Sequence, residues 1–292
     1  MSVTFTRRFR VRYYECDAYR HLNNANYLRY MQETAFDASA DVGYGEEKYL
    51  TLGAIWLIRE TEIEYLRPIQ SDEIVDVITW VDDFRRVRSR RMYEFRLVKS
   101  NETAARAMTD WVYLDRNTSR PMEIPDELVC AFMEGGKIAD TKPRQRFRII
   151  NDPPPESFVM RRYVEWRDID SAQHVNNAVY LAYFEDCGIR VAKEYGWPIE
   201  RMRNRGIGIL ARKHHILYRK PALLDDELEI STWLSNFKRS TVMRHYTVKR
   251  IVDNEVLGQS NSMYVMIDLN TYKPMRFPPD FHRDFKTNTT FE

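Results

Sequence analysis

A string of chemically active residue types lies near the start of the chain, between a strand-like and a helix-like segment. It reads Asp17-x-x-x-His21-x-Asn23-Asn24. Asparagine favours helix starts, where unpaired backbone N–H groups and the positive end of the helix dipole attract negative charge. A carboxylate seven positions before Asn24 can fold back beside those groups. A base next to an oxyanion site would suit attack of water, or of the carboxylate itself, on a carbonyl carbon.

The same string returns as Asp170, His174, Asn176 and Asn177, at an offset of 153 residues. Further downstream the offset holds without a gap for other pairs: Gly53 and Gly206, Pro68 and Pro221, Trp80 and Trp233, Asp115 and Asp268. A period of this length is far above the roughly 20 to 50 residues of solenoid repeats. It therefore indicates a duplicated domain.

Each residue of the string also has a purely structural explanation. Aspartate commonly closes Asx turns, and asparagine commonly caps helices. His21 and His174 are of a type that more often packs and hydrogen-bonds than catalyses. Cys16, next to Asp17, is replaced by Ile169 in the second copy, which argues against a thiol nucleophile. From the residues alone, the catalytic and the structural explanations both stay open.

The segments around the string predict the same elements in each half. Alternation predicts a first strand over residues 9–13, and more weakly over residues 163–167. Helical spacing of apolar residues predicts a helix from Asn23 or Asn24 to about Gly43. Four strand-like runs follow at residues 54–66, 74–81, 92–98 and 105–114, with turns between them, one of them at residues 82–83. A single helix lying on an antiparallel sheet gives the α+β fold class.

Length and composition suggest two soluble globular domains. The chain has 292 residues, against roughly 150 per domain. A segment with Pro143 and the run 153–155 of three prolines predicts a linker over residues 141–157, between a first domain at residues 1–140 and a second at residues 158–292.

The charge balance and the cysteine count exclude several classes of function. The chain has 45 basic and 43 acidic residues, interleaved, so a nucleic-acid partner is not expected. No apolar run reaches the roughly 18 to 20 residues of a membrane span, and the first residues lack the apolar stretch of a secretory signal. Three scattered cysteines suggest neither a disulfide framework nor a zinc site. We expect a cytoplasmic protein without metal or cofactor.

The strings resemble a known family. Residues 12–17, Arg-Tyr-Tyr-Glu-Cys-Asp, followed by residues 21–28, resemble the opening of hotdog-fold thioesterases of the 4-hydroxybenzoyl-CoA thioesterase type. Residues 165–180 are similar to the catalytic half of plant and bacterial acyl-ACP thioesterases. The resemblance implies two tandem hotdog domains, each an antiparallel sheet wrapped on one long central helix. It also implies hydrolysis of an acyl-CoA, or as a second choice an acyl-ACP, to free acid and thiol.

Carried over position by position, the resemblance assigns roles to the repeated string. The catalytic carboxylate, as general base or nucleophile, falls on Asp17 and Asp170. The oxyanion donor, a backbone N–H at the helix start, falls on Asn24 and Asn177. His21 and His174 belong to the same motif and complete the predicted catalytic set.

Two departures from the acyl-ACP thioesterase pattern favour acyl-CoA. Those enzymes carry an Asn two residues after the Asp, where this chain has Tyr19 and Ala172. Their Glu-Cys pair would fall near residues 221–222 and 68–69, which are Pro-Ala and Pro-Ile. The simpler Asp-based scheme does not need these residues.

Further candidates come from the helix and from a basic run, and each has a plainer explanation. Glu33 and Asp186 on the helix are secondary catalytic candidates. Ion pairing at the surface would explain both acids equally well. Four aromatic residues are predicted to line an apolar acyl channel, and ordinary packing in the core is the plainer explanation for them: Tyr27, Tyr30, Tyr180 and Tyr183. Arg86 and Arg88, in a basic run echoed by Lys238 and Arg239, are candidates for binding phosphates of coenzyme A or of a carrier's pantetheine arm.

The sequence therefore predicts a thioester hydrolase with one site in each half. A non-catalytic acyl-CoA-binding or regulatory protein, and a hotdog dehydratase, are the alternatives. The expected partners are an acyl-CoA substrate and, as a second choice, acyl carrier protein, with no membrane partner. The chain is expected to be a monomeric pseudo-dimer or a homodimer.

Overall fold

A computed structural model describes residues 2–133, 147–148 and 153–290. The chain divides into two compact units, Met1–Arg146 and Phe147–Glu292. Of the predicted linker, residues 141–146 and 149–152 lie outside the described residues. The exact domain limits stay a prediction. In the described ranges, no helix is long and apolar enough to cross a membrane.

The first unit has one long helix and five strands among its described residues. In chain order the elements are β1 Thr4–Arg10, α1 Asn24–Asp41, α2 Glu46–Thr51, β2 Ala54–Tyr65, β3 Ile74–Arg85, β4 Arg88–Leu97, β5 Thr103–Asp115 and α3 Asp126–Phe132. The strands lie in the order β1-β3-β4-β5-β2, and each neighbouring pair is antiparallel. Residues alternate between buried and partly buried along β4, as expected of a strand with one face on a core.

The second unit repeats these elements in the same order. They are β6 Phe158–Tyr163, α4 Asn177–Glu194, α5 Ile199–Asn204, β7 Ile207–Tyr218, β8 Glu227–Ser235, β9 Thr241–Arg250, β10 Val256–Asp268 and α6 Pro279–Asp284. The strand order β6-β8-β9-β10-β7 is also antiparallel throughout. The α+β class and the antiparallel sheet predicted from the sequence are confirmed in both units.

The long helix of each unit begins and ends where the sequence predicts. Asn23 is the N-cap of α1, and its side chain accepts a hydrogen bond from the Ala25 N–H. Gly43 follows the helix end with a φ of +85°, a left-handed conformation that glycine adopts without a steric penalty. The inward face of α1 is apolar, and Tyr27 and Met31 are buried.

Two local predictions are wrong. The first strands end earlier than predicted, because residues Tyr13–Glu15 and Trp166–Asp168 form short 3-10 helices instead. The predicted turn at residues 82–83 lies inside β3, at a bulge where the register shifts between Val81 and Asp83. The chain reverses after Arg85 instead, and the bulge leaves Asp83 buried near the Arg85 guanidinium, at 3.6 Å.

One buried histidine makes the stability of the second unit depend on pH. His214 on β7 is fully buried, and its Nδ1 lies 2.7 Å from the Ser262 Oγ. Burial lowers the pKa of His214 to about 3, from an ordinary value of 6.5. The unfolded chain therefore binds this proton more readily than the folded chain. The free energy of unfolding should be fully retained above pH 6.5 and decrease as the pH falls towards 3.

At pH 5 the predicted loss from His214 is about 2 kcal/mol relative to pH 7. Urea unfolding of the wild type and of His214→Gln at both pH values measures it. The variant should be less stable at pH 7 but lose less stability on acidification. Equal losses in both proteins would contradict the assignment.

Candidate active site

In the first unit, the candidate carboxylate closes the loop that leads into the long helix. The Asp17 N–H donates to the His21 carbonyl oxygen at 2.8 Å, and Arg20 between them has a φ of +67°. The Asp17 Oδ1 accepts hydrogen bonds from the N–H groups of Tyr19, at 2.8 Å, and His21, at 3.1 Å. The predicted Asx turn is thus present. It fixes a half-buried carboxylate next to the helix start.

The second unit builds the matching loop around Asp170. Asp170 donates its N–H to the His174 carbonyl oxygen at 3.1 Å, and its Oδ1 accepts from the Ala172 N–H at 2.9 Å. Its Oδ2 accepts from the Asn176 Nδ2 at 3.0 Å. The His174 Nδ1 lies 3.9 Å from the Asp170 Oδ1. The structure therefore brings Asp170, His174 and the helix cap together in one cluster.

The two asparagines of each string have different positions at the helix start. Asn23 and Asn176 are the N-caps, and their side chains accept from the N–H groups two residues later. Asn24 and Asn177 are the first helical residues. A backbone N–H at that position has no acceptor within its own helix, and it lies at the positive end of the helix dipole. A carboxylate and a potential oxyanion donor thus meet at the same helix start in each unit.

Two buried carboxylates that sequence reasoning missed anchor these loops. Glu15 and Asp168 occupy matching places in the two 3-10 helices, and only 7% and 6% of their surfaces are exposed. Each accepts a hydrogen bond from a tyrosine hydroxyl on the long helix: Tyr30 to Glu15 at 2.6 Å, and Tyr183 to Asp168 at 2.7 Å. The repeat contained the signal, because an acid and a tyrosine recur fifteen residues apart in both halves.

The same acids also hold the chain just before the loop. The Glu15 Oε2 accepts from the Arg12 N–H at 2.7 Å, and the Asp168 Oδ2 accepts from the Glu165 N–H at 3.0 Å. In the second unit the Arg162 guanidinium lies 3.6 Å from Asp168 and 3.7 Å from the Tyr183 ring centroid. These contacts connect the strand end, the 3-10 helix and the long helix around the candidate carboxylate.

The predicted channel tyrosines are buried in the core of each unit. Tyr27 packs edge-on against Tyr65 at 5.1 Å, and Tyr180 packs edge-on against Tyr218 at 5.4 Å. Burial raises the pKa of both hydroxyls, which hydrogen-bond with the backbones of Ile69 and Ala222 respectively. These contacts account for Tyr27 and Tyr180 as core residues. Their contact with substrate stays a prediction.

The secondary acids on the helix are exposed and have arginine partners. The Glu33 carboxylate lies 3.2 Å from Arg7, and Asp186 lies 3.6 Å from Arg162. The side chains of Glu33 and Asp186 are 55% and 59% exposed. Surface ion pairing is therefore enough to explain both acids, and a catalytic role stays a prediction.

The two arginines proposed for phosphate binding each have a carboxylate partner in the first unit. Arg86 lies 3.7 Å from Glu123 at the surface. Arg88 is held by the buried carboxylate of Asp110. Burial raises the pKa of the Asp110 carboxyl, and the positive charge of Arg88 opposes that rise. Phosphate binding by Arg86 and Arg88 stays a prediction.

The positions of the missing Glu-Cys pair lie beside the candidate loops. The Ala222 carbonyl accepts from the Val175 N–H at 2.9 Å, and the Ile69 carbonyl accepts from the Leu22 N–H at 2.7 Å. Ala222 and Ile69, which stand at these places, supply no acid or thiol. The candidate site has to work with the aspartate and the helix N–H groups.

Two family models match the chain, and both describe thioesterases. Residues 2–132 match the N-terminal domain of acyl-ACP thioesterases, and residues 164–285 match the thioesterase-like superfamily. Each model covers less than half of the chain, and together they cover most of it, so that each half is similar to a thioesterase, as the sequence resemblance implied.

Within that class, curated relatives are plant enzymes acting on acyl carrier protein. The palmitoyl-acyl carrier protein thioesterase of Arabidopsis thaliana is 24% identical over 191 residues, which is 62% of this chain and 46% of the relative. The dodecanoyl-[acyl-carrier-protein] hydrolase of Umbellularia californica is 26% identical over 192 residues, which is 62% of this chain and 50% of the relative. The chain spans about half the length of the curated relatives it matches.

Solved structures share the fold over nearly the whole chain. The 12:0-ACP thioesterase from Umbellularia californica matches with a TM-score of 0.71 and 20% identity, over 89% of this chain and 96% of that one. An acyl-ACP thioesterase from Bacteroides thetaiotaomicron matches with a TM-score of 0.70 and 20% identity, over 89% and 97%.

Proposed function

We propose that the chain is a thioester hydrolase built from two tandem hotdog domains, and that it releases a free acid from an acyl group carried on acyl carrier protein. The observation that carries this proposal is the aspartate held at the start of the long helix, found once in each unit. The matching family model and the curated relatives support the carrier protein. They outweigh the departures at Tyr19 and Ala172, which had favoured acyl-CoA.

The proposed reaction uses groups that each unit already holds together. The carboxylate of Asp17 or Asp170 takes a proton from water as the water oxygen attacks the thioester carbonyl carbon. The carbonyl electron pair moves onto oxygen, where the N–H of Asn24 or Asn177 and the helix dipole stabilise the negative charge. When the tetrahedral intermediate collapses, the carbon–sulfur bond breaks, and the thiolate leaves and takes up a proton. Attack by the carboxylate itself, through an acyl-enzyme anhydride, uses the same geometry.

The histidines have a supporting part in this scheme. The His174 Nδ1 lies 3.3 Å from the Val175 carbonyl oxygen and 3.9 Å from Asp170. We therefore assign His174, and His21 at the matching position, to orienting the aspartate loop rather than to proton transfer from water.

A comparison of carriers tests the proposed function. The purified chain is assayed for release of free thiol from one acyl group on acyl carrier protein, on coenzyme A and on pantetheine, and the products are identified by mass spectrometry. We expect free fatty acid, with acyl carrier protein giving the highest kcat/KM. Higher kcat/KM with acyl-CoA would overturn the carrier while keeping the hydrolase.

The same assay separates the alternatives from other classes. A binding or regulatory module would retain the acyl carrier without releasing acid. A dehydratase would change the acyl chain and leave the thioester intact. Only a hydrolase is expected to form the free acid in hydroxylamine-free buffer, with one thiol released for each acid. The oligomeric state and the cytoplasmic location stay predictions.

A further inference from the structure

Among the residues that the structure describes, an open pocket on the second unit is lined by basic and aromatic side chains. Its volume is about 490 Å³, and its lining residues are Phe237, Lys238, Arg239, Arg276 and His282. Lys238 and Arg239 lie in the turn between β8 and β9, Arg276 lies shortly before α6, and His282 lies on α6. Three permanent cations and one histidine thus converge from three segments of the chain.

The pocket is held in place by an aromatic cluster and by backbone hydrogen bonds. The Phe237 ring lies 4.5 Å from the His282 ring and 5.3 Å from the Phe277 ring, measured between centroids. The Phe277 N–H donates to the Arg239 carbonyl oxygen at 3.2 Å. Because Phe277 is buried, this bond fixes the basic turn against the core of the unit.

The first unit provides an internal comparison. Its matching corner, where the turn between β3 and β4 meets the segment before α3, has no excess charge. The equivalent backbone bond runs from the Ile124 N–H to the Arg86 carbonyl oxygen, at 2.9 Å. There Arg86 has Glu123 at 3.7 Å, and Arg85 has Asp83 at 3.6 Å. The corner of the first unit is therefore neutralised by its own acids.

At the 153-residue offset, the second unit keeps the cations and loses both acids. Lys238 and Arg239 stand at the places of Arg85 and Arg86, whereas the places of Asp83 and Glu123 are taken by Asn236 and Arg276. Where the first unit has the Arg86–Glu123 ion pair, the second unit has Arg239 and Arg276, which carry like charges.

No carboxylate of the described residues makes an ion pair with the three permanent cations of the pocket. The nearest acids along α6 have other partners: Asp280 pairs with Arg201 and Arg205, and Asp284 with Arg283. Burial, and then the charge of Arg276, lower the pKa of His282, as expected beside a cation that has no counter-charge. Like charges held together cost free energy unless an anion joins them.

We propose that this pocket binds a phosphate group of a small ligand, at a site separate from the aspartate loops. Arginine guanidinium groups bind phosphate oxygens through paired hydrogen bonds, and lysine adds a compact positive charge. Three cations match the two negative charges and several acceptor oxygens of a phosphate better than the single charge of a carboxylate. The inference does not depend on the thioesterase reaction.

Isothermal titration of the full-length chain with inorganic pyrophosphate and with ADP tests the proposal. We expect one binding site with both probes, weakened by added salt. Equal affinities would show that phosphate alone is recognised, and tighter binding of ADP would show that the organic group adds contacts. Either result supports the site.

Arg276→Glu restores the acid found in the first unit and should weaken binding of both probes by about tenfold or more. Arg276→Gln, which adds no negative charge, should give a smaller loss. Arg116→Glu makes the same charge change at an exposed position of the first unit and is the matched control. Absence of binding by the wild type, or equal affinities of Arg276→Glu and Arg116→Glu, would overturn the proposal.

Discussion

Replacing both Asp17 and Asp170 by asparagine is expected to lower kcat for the acyl thioester by about 10² to 10⁴. Asparagine has nearly the same shape as aspartate and keeps an oxygen that can accept the loop N–H groups. It cannot take a proton from water at neutral pH. The loss should therefore appear in kcat, with the fold retained.

Each single variant should keep the turnover of the other unit. Asp17→Asn and Asp170→Asn are then expected to retain a substantial share of the wild-type rate, and only the double variant to lose nearly all of it. A full loss in one single variant would show that only that unit works. Activity above one tenth of wild type in the double variant would contradict the role of both aspartates.

A matched control is available at the same offset. Asp72 and Asp225 lie in exposed turns with φ of +68° and +66°, a conformation that asparagine also tolerates. The double variant Asp72→Asn, Asp225→Asn removes the same number of charges from the same two units. Its kcat should stay near that of wild type.

Stability has to be measured alongside activity in the second unit. The asparagine of Asp170→Asn would present an amide NH₂ to the Asn176 Nδ2, which donates to that carboxylate in the wild type. Some loss of stability is therefore expected there, and melting temperatures will separate it from loss of catalysis.

Removing the buried carboxylate of Asp168 should destabilise the second unit by about 3 kcal/mol. Asp168→Ala leaves the Tyr183 hydroxyl and the Glu165 N–H without their acceptor, and leaves Arg162 without one of its two carboxylates. Chemical unfolding monitored by circular dichroism measures the change. A loss below about 1 kcal/mol would contradict the anchoring role, since that is the usual size of one ordinary hydrogen bond.

The conservative variant separates anchoring from charge. Asp168→Asn keeps an acceptor for the Tyr183 hydroxyl and should recover part of the lost stability. Because Asp168 acts through the loop that holds Asp170, kcat of the second unit should follow the same order: wild type, then Asp168→Asn, then Asp168→Ala. The unfolding free energies and kcat are compared in the Asp17→Asn background, where the first unit is silent.

The sequence was sufficient for features that depend on local pattern. Spacing and residue type were enough for the 153-residue repeat, for a helix cap at Asn23 or Asn24, and for the strands of the sheet. The end of the first strand was not predictable in this way. The chain leaves the strand at a 3-10 helix that Glu15 and Asp168 stabilise through tyrosines fifteen residues away, and such a contact has no local signature.

In the candidate site too, the sequence predicted what lies close together along the chain and missed contacts between distant residues. The repeat placed aspartate, histidine and asparagine together correctly, because all of them lie within eight residues. It did not show that the Asn176 side chain donates a hydrogen bond to Asp170, or that Arg88 on β4 is held by Asp110 on the neighbouring strand β5. The bulge at Asp83 was missed because adjacent acids are typical of a turn, and only the pairing of β3 with β4 shows that the strand continues.

The most direct test of the central claim is thiol release from an acyl group on acyl carrier protein by the unaltered chain. The double variant Asp17→Asn, Asp170→Asn provides the enzyme blank. We expect catalytic turnover, with one free acid per thiol, at a rate at least about 10² above that blank. Thiol release by the wild type no faster than by the double variant would contradict the assignment of this chain as an aspartate-based thioester hydrolase.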